Sequence, residues 1–114
     1  QISKNQSITL EAPESVRDFI HVEDVVSAFV LACGFKHKGF LALNVGTGCG
    51  LSVCSVARKI ALYNKINPKI KIKKINSLRD YVIADISNTS KVLTWNPRVS
   101  IDNGLKSTLE SYFL

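Results

Sequence analysis

The sequence predicts a mixed α/β or α+β fold in one domain. Short stretches rich in β-branched residues alternate with longer stretches whose apolar residues recur at helical spacing. The chain has 114 residues, 46% of them hydrophobic. A chain of this size buries roughly two thirds of its unfolded surface, so a core can form. The alternation, without an internal repeat or a low-complexity segment, is typical of an α/β or α+β domain.

The first third of the chain predicts two short strands followed by a helix. Residues 7–10 and 19–22 have the composition of strands, and a loop with Pro13 separates them. Glu23 and Asp24 then place negative charge in the first turn of a helix, where it complements the helix dipole. This helix ends at Gly34, and we expect its apolar stripe to pack on a sheet. The stripe consists of Val25, Val26, Phe29, Val30 and Cys33.

The middle of the chain predicts a strand, a glycine loop and a second helix. Residues 40–45 are nearly all apolar, as in a strand buried on both faces. Gly46, Gly48 and Gly50 form the loop that follows, and Ser52 is well placed to cap the helix. The buried residues expected on this helix are Val53, Val56, Ala57, Ile60 and Ala61.

The last third predicts two strands, a short helical turn and an amphipathic helix. In residues 69–75 lysines alternate with isoleucines, so a strand there would bury the isoleucines and expose the lysines. A second strand is expected at 81–85 and a helical turn around Leu93. The closing helix has apolar residues at helical spacing from Ile101 onward.

Several classes of protein fit the sequence poorly. The longest nearly apolar run, residues 25–35, is about half the length of a bilayer span, so we expect no membrane-crossing segment. The three cysteines form no Cys-x-x-Cys pair and the two histidines lie apart, which argues against a zinc site and favours a reducing, cytoplasmic location. The chain begins at Gln1 without a leader peptide, and we expect a fragment of a longer protein.

Positive charge is concentrated in the middle of the chain. Residues 25–79 contain ten Lys or Arg and no Asp or Glu. This bias favours an anionic ligand, although for Lys69, Lys71 and Lys73 the solvated face of a strand is the preferred interpretation. Nucleic-acid binding is less favoured because aromatic residues are not interleaved with the basic ones.

Arg17 and Arg79 are the strongest candidates for binding an anion. A guanidinium is planar, stays charged and can bind two phosphate oxygens at once. The alternative is a surface ion pair with Asp18, Asp80 or Glu23.

The glycine loop lies between a strand and a helix, where dinucleotide-binding enzymes have their fingerprint. Leu51 occupies the position of the third small residue, and no carboxylate follows about twenty residues later. We therefore interpret the loop as a sharp turn rather than a cofactor cradle. His21, Asp24 and Trp95 are likewise expected to serve packing and capping, and we expect no catalytic and no metal-binding residue.

Six ordered motifs resemble the extended short-chain dehydrogenases. They are Arg-Asp-Phe-Ile-His-Val-Glu-Asp-Val-Val at 17–26, Asn-Val-Gly-Thr-Gly at 44–48, Ser-Val at 52–53, Ala-Asp-Ile-Ser at 84–87, Leu-Thr-Trp-Asn-Pro at 93–97 and Gly-Leu at 104–105. The whole of residues 1–114 is similar to the C-terminal, sugar-nucleotide-binding part of NAD-dependent epimerases and dehydratases. Residues 79–80 depart from the family's longer Arg-x-Gly-Asp spacing, and Asn88 and Thr94 stand where Lys and Gly are common.

The resemblance implies a function for four residues. Arg17 and Arg79 would bind the diphosphate of a nucleoside-diphosphate sugar, Phe19 would lie beside the nucleotide, and Val53 would pack near the base. NAD(P) would bind mainly to an N-terminal Rossmann half that this chain lacks, and the Tyr-x-x-x-Lys catalytic pair is absent. We expect the fragment alone to be inactive, and the full-length protein to be an enzyme of nucleotide-sugar metabolism that can form a homodimer.

Two alternatives remain open. The chain is compatible with a catalytically inactive relic or sugar-nucleotide-binding module, and less well with a small basic domain that binds anions or RNA. Only the last predicts an affinity that falls steeply with salt.

Overall fold

The computed structural model describes residues 7–67, 69–73 and 80–113. Short strands and helices alternate along these residues, which confirms the predicted mixed fold. In chain order they are β1 (Ile8–Leu10), β2 (Val16–Asp18), α1 (Val22–Gly34), β3 (Gly50–Ser52), α2 (Val53–Tyr63), β4 (Ile70–Ile72), β5 (Tyr81–Val82), α3 (Ser87–Leu93) and α4 (Ile101–Phe113).

The strands form two small sheets. β1 pairs in parallel with β4. β2 lies in the middle of the other sheet, antiparallel to β3 and parallel to β5. Helix α2 packs on α4, and α1 packs on α3. The three-stranded sheet brings together segments from the start, middle and end of the sequence, and it carries the candidate site.

Both predicted helix starts are confirmed by their caps. His21 precedes α1, and its Nδ1 accepts a hydrogen bond from the Glu23 amide at 3.4 Å. Ser52 precedes α2, and its Oγ accepts from the Ser55 amide at 3.1 Å. Each cap supplies an acceptor for an amide that has no partner within the helix.

A small core forms where α1 meets α3 and the segment after it. Ala28, Leu93 and Trp95 are buried there, and Leu43 and Val45 pack against them. Trp95 is 3% exposed, and its indole Nε1 donates to Ser27 Oγ at 2.8 Å. The prediction that Trp95 anchors the core is confirmed.

Four predictions about strands need correction. The strand expected at 81–85 is paired only at Tyr81–Val82. The strand expected at 19–22 lies at 16–18, because those are the residues that align with β3 and β5. Residues 40–45 are not paired in a sheet, because no described strand lies beside them. Of the strand expected at 69–75, Ile70–Ile72 form β4; Lys71 is exposed as expected, but Ile72 is 59% exposed as well.

The predicted apolar stripe of α1 does not pack on the described sheets. Phe29 and Val30 are 64% and 66% exposed, whereas Asp24 and Ala28 on the other side of the helix are buried. Trp95 and Leu93 cover only that second side. Among the described residues, every helix is too short or too polar to cross a bilayer.

Candidate functional site

Arg17 lies at the centre of the three-stranded sheet. Its neighbours in register are Leu51 on β3 and Val82 on β5. The guanidinium donates to both carboxylate oxygens of Asp80, Nη1 to Oδ1 at 3.0 Å and Nη2 to Oδ2 at 2.7 Å. These bonds lower the pKa of Asp80 to about 2, and the same contact raises the pKa of Arg17. The ion pair considered as an alternative is therefore present, yet the Arg17 side chain remains 38% exposed.

Phe19 borders an open cleft of about 340 Å³. Residues 17 and 19 alternate along an extended segment and share one face of it, and Leu51, the register partner of Arg17, also lines the cleft. Residues 97–101, including Arg98, complete the lining. Arg17 itself does not line the cleft; it lies on the strand that leads to Phe19, and its register partner Leu51 is a lining residue.

The other two predicted site residues are Val53, which the structure describes, and Arg79, which it does not. Val53 begins α2, and its amide donates to the Ser15 carbonyl at 3.1 Å. It is half-buried beside the start of β2 and is not among the residues that line the cleft. Arg79 lies outside the described residues, so its position stays a prediction.

Asp18 holds the glycine loop against the sheet, a role that the sequence analysis missed. Its carboxylate accepts from the Thr47 amide at 2.9 Å, the Thr47 hydroxyl at 2.5 Å, the Gly48 amide at 2.9 Å and the Ala84 amide at 3.3 Å. Burial acts to raise the pKa of Asp18, but these hydrogen bonds outweigh it and the pKa is lowered. The sequence offered one signal for this contact: Thr47 lies between two glycines, and Asp18 lies in an extended segment upstream.

The loop geometry confirms a tight turn and does not fit a pyrophosphate. A Cβ on Gly46 would lie 2.5 Å from the Ala84 Cβ and 2.6 Å from Asp18 Oδ2, and Gly48 has a φ of +70°. The amides of Thr47 and Gly48 already donate to the Asp18 carboxylate. A second anion would have to displace that carboxylate and would be repelled by it.

Asp24 and His21 have structural roles, as expected. Asp24 is 3% exposed and accepts from the amides of Arg98 and Val99, each at 2.9 Å. It therefore fixes the segment that forms one wall of the cleft. His21 packs against Gly104, where an added Cβ would lie 3.0 Å from the imidazole Cδ2.

A second polar cluster joins α2 to α4. Asp102 Oδ1 accepts from Lys59 Nζ at 2.6 Å and from the Tyr63 hydroxyl at 2.5 Å. The hydrogen bond to Asp102 raises the pKa of Tyr63, which keeps the phenol protonated and unsuited to act as a base. Within the described ranges, no three His, Cys, Asp or Glu residues converge to hold a metal ion.

Comparison with known proteins shows what the chain is similar to. No protein-family model matches the chain. CDP-abequose synthase from Salmonella muenchen is 30% identical over 113 residues, which cover 96% of this chain and 38% of that protein.

Two solved structures share the fold. The UDP-glucose 4-epimerase of Thermotoga maritima, with UDP-glucose, is 31% identical with a TM-score of 0.74, over 98% of this chain and 36% of that one. The UDP-glucose 4-epimerase of Bifidobacterium longum, in complex with NAD+ and UDP, is 26% identical with a TM-score of 0.78, over 90% of this chain and 33% of that one.

The fold is thus that of part of a Rossmann-type short-chain dehydrogenase/reductase. More particularly, the homologues are nucleotide-sugar epimerases, dehydratases and reductases of the extended family, as the sequence motifs indicated. The chain spans about a third of the length of these relatives.

Proposed function

We propose that this chain is the C-terminal, nucleotide-sugar-binding portion of an NAD-linked epimerase, dehydratase or reductase. The observation that carries the proposal is the partly exposed guanidinium of Arg17 on β2, the strand that leads directly to Phe19 in the cleft. Similarity to epimerases solved with UDP and with UDP-glucose supports it.

The geometry around Arg17 suits a diphosphate. Asp80 binds both Nη atoms, which fixes the plane of the guanidinium and lowers the entropy lost when a ligand binds. Nη1 also donates to the Val16 carbonyl at 2.9 Å, so the Nε–H and the second hydrogen of Nη2 are the donors that would bind phosphate oxygens. Arg79, the neighbour of Asp80 in sequence, would supply the second cation.

The cleft suits the nucleoside. Phe19 and Leu51 give it an apolar surface against which a base or ribose can pack. Val53 does not line the cleft, so its contact with the base rests on the family resemblance alone. The substrate is therefore expected to extend from the Arg17 side of the sheet into the cleft. Arg98, which lines the same cleft, is exposed and adds positive charge there.

NAD(P) would be bound by another portion of the full-length protein. The amides of the glycine loop already donate to the Asp18 carboxylate, so the loop does not bind the cofactor. The role of this chain would then be to bind and orient the substrate. The chemistry itself, transient oxidation of the sugar, would take place on that other portion. We place the full-length enzyme in the cytoplasm, with a homodimer as its expected assembly.

Substitution of Arg17 tests the proposal. In the full-length protein, Arg17→Ala should weaken the binding of UDP-glucose or a related sugar nucleotide at least tenfold, because about 1.5–3 kcal/mol is lost per charge-assisted hydrogen bond. The measurement is isothermal titration calorimetry with the sugar nucleotide and with UDP alone. Thermal unfolding of the variant shows whether the fold survives the loss of the Asp80 pair.

Arg58→Ala is the matched control, because Arg58 is an exposed arginine on α2 that does not line the cleft. It should bind sugar nucleotides with unchanged affinity. A folded Arg17→Ala protein with the affinity of the parent would refute the proposal. An upstream sequence with no glycine-rich turn and no Tyr-x-x-x-Lys pair would favour the inactive relic instead.

A further inference from the structure

The polar cluster that joins α2 to α4 lies outside the cleft. Its three residues, here called the helix clamp, are Lys59 and Tyr63 on α2 and Asp102 on α4. None of the three is among the described residues that line the cleft. Any effect that they have on a ligand in the cleft therefore passes through the elements that they hold.

Asp102 is the acceptor on which the helix clamp depends. Its Oδ1 accepts from Lys59 Nζ at 2.6 Å and from the Tyr63 hydroxyl at 2.5 Å. Lys59 and Tyr63 are four residues apart on α2, so they lie on the same side of the helix, one turn from each other. The Lys106 ammonium lies 5.3 Å from the centre of the Tyr63 ring, where the ring face attracts a cation. One carboxylate thus holds the first turn of α4 against two successive turns of α2.

The helix clamp is charged throughout the neutral pH range. The hydrogen bonds from Lys59 and Tyr63 lower the pKa of Asp102, and the bond to Asp102 raises the pKa of Lys59. The side chains of Lys59 and Asp102 are 32% and 47% exposed, so solvent screens the ion pair and it adds little to the stability of the fold. The expected effect of the clamp is on the position of α4.

The helix clamp joins the elements that carry the two sides of the cleft. Leu51 lines one side, and α2 begins two residues after it. Residues 97–101, here called the cleft wall, line the other side, and Asp102 follows them directly. The ion pair between Lys59 and Asp102 thus links one side of the cleft to the other from outside.

Each end of the cleft wall is held by a carboxylate. Asp24 on α1 accepts from the amides of Arg98 and Val99, each at 2.9 Å. Asp102 ties the other end of the wall to α2. Residues 97–100 belong to no helix or strand, so the position of the wall depends on these two anchors.

We propose that Lys59, Tyr63 and Asp102 are positioning residues that set the distance between the cleft wall and β3, and thereby the affinity for the nucleoside. This inference rests on the proposed function, which places the nucleoside in the cleft. The three side chains touch no part of the substrate. They hold the cleft in its binding form before the ligand arrives, which lowers the cost of ordering the wall on binding.

Two substitutions on α2 remove the helix clamp and leave α4 unaltered. Lys59→Met and Tyr63→Phe together delete both donors and keep most of the apolar surface of the two side chains. In the full-length protein, this double variant should bind UDP about three- to tenfold more weakly, because binding must then order the cleft wall. The affinity for pyrophosphate, which lacks the nucleoside, should stay unchanged. Isothermal titration calorimetry measures both affinities.

Lys65→Met is the matched control, because Lys65 is an exposed lysine two residues beyond the end of α2. It should bind UDP as the parent does. Lys59→Arg, which keeps a charged donor at the same place, should also retain the parent affinity. Thermal unfolding shows which variants are folded. A folded double variant with the parent affinity for UDP would overturn the proposal, and so would an equal loss of affinity for pyrophosphate.

Hydrogen exchange tests the helix clamp without a ligand. Loss of the clamp should speed the exchange of the Arg98 and Val99 amides by about threefold or more, since the cleft wall then opens more often. The Ser55 amide, which donates to the Ser52 cap at the start of α2, should keep its rate. Unchanged exchange at Arg98 and Val99 would refute the clamp. Faster exchange in a full-length protein whose parent does not bind UDP would refute the proposed function and leave the positioning of the wall intact.

Discussion

Replacing Asp18 by asparagine tests how far one carboxylate organises the sheet and the glycine loop. In the Asp18→Asn variant the amide oxygen can still face the Thr47 amide and hydroxyl. The new NH₂ group then replaces Oδ2, which accepts from the amides of Gly48 and Ala84. Those two amides would face a donor in place of an acceptor, and two hydrogen bonds to a charged group would be lost.

Each hydrogen bond to a charged group contributes about 1.5–3 kcal/mol, and the exposure of Gly48 argues for the lower end. We therefore expect Asp18→Asn to lower the free energy of unfolding by about 3 kcal/mol, a large part of the total of about 5–15 kcal/mol for a domain. Urea unfolding followed by circular dichroism measures the change. Glu14→Gln, which alters an exposed carboxylate, should have no effect.

The effect should also depend on pH in a defined direction. Because the pKa of Asp18 is lower in the folded state than in the unfolded state, its contribution is present above about pH 4 and is lost as the pH falls through the folded pKa. The gap between the parent and Asp18→Asn should therefore narrow in acid. Equal stability of the two proteins at pH 7 would show that Asp18 does not hold the loop.

Two further outcomes are expected. Gly46→Ala should destabilise the chain by about 1–3 kcal/mol, since its Cβ would overlap Ala84; Gly34→Ala, with no atom within 4 Å of the new Cβ, should be neutral in the same unfolding assay. The Asp80 carboxyl should titrate near pH 2 by ¹³C NMR and return toward about 3.9 when its arginine partner is removed. Because the folded pKa is depressed, the ion pair should persist above about pH 4 and weaken as the pH falls toward 2. An unshifted Asp80, or a stable Gly46→Ala variant, would contradict these contacts.

Local signals predicted the helices well. Ser52 and the acidic pair at Glu23 and Asp24 mark helix starts through chemistry that acts within one turn, and both starts are where the sequence indicated. Trp95 was correctly assigned to the core because apolar residues surround it in sequence. The ion pair with Asp80, given as the alternative to an anion-binding role for Arg17, is present.

Contacts between distant segments were harder to predict. The position of β2 depends on its alignment with β3 and β5, which lie about 35 and 65 residues away in the sequence, and such registers are set by tertiary pairing. The role of Asp18 also arises only after the loop and Ala84 have come together. Residues 40–45 have the apolar pattern of a buried strand, but no described strand lies beside them, so they are not paired in a sheet.

The Asp24 carboxylate has a consequence for where the chain can be divided. It is buried and is satisfied by the amides of residues 98 and 99, which lie 74 and 75 positions away in sequence. A truncation before Arg98 would leave a buried charge without donors, at a cost of several kcal/mol. The segment that follows Trp95 is therefore needed for α1 to stay in place, and a split version of this protein should keep residues 24 and 99 in the same piece.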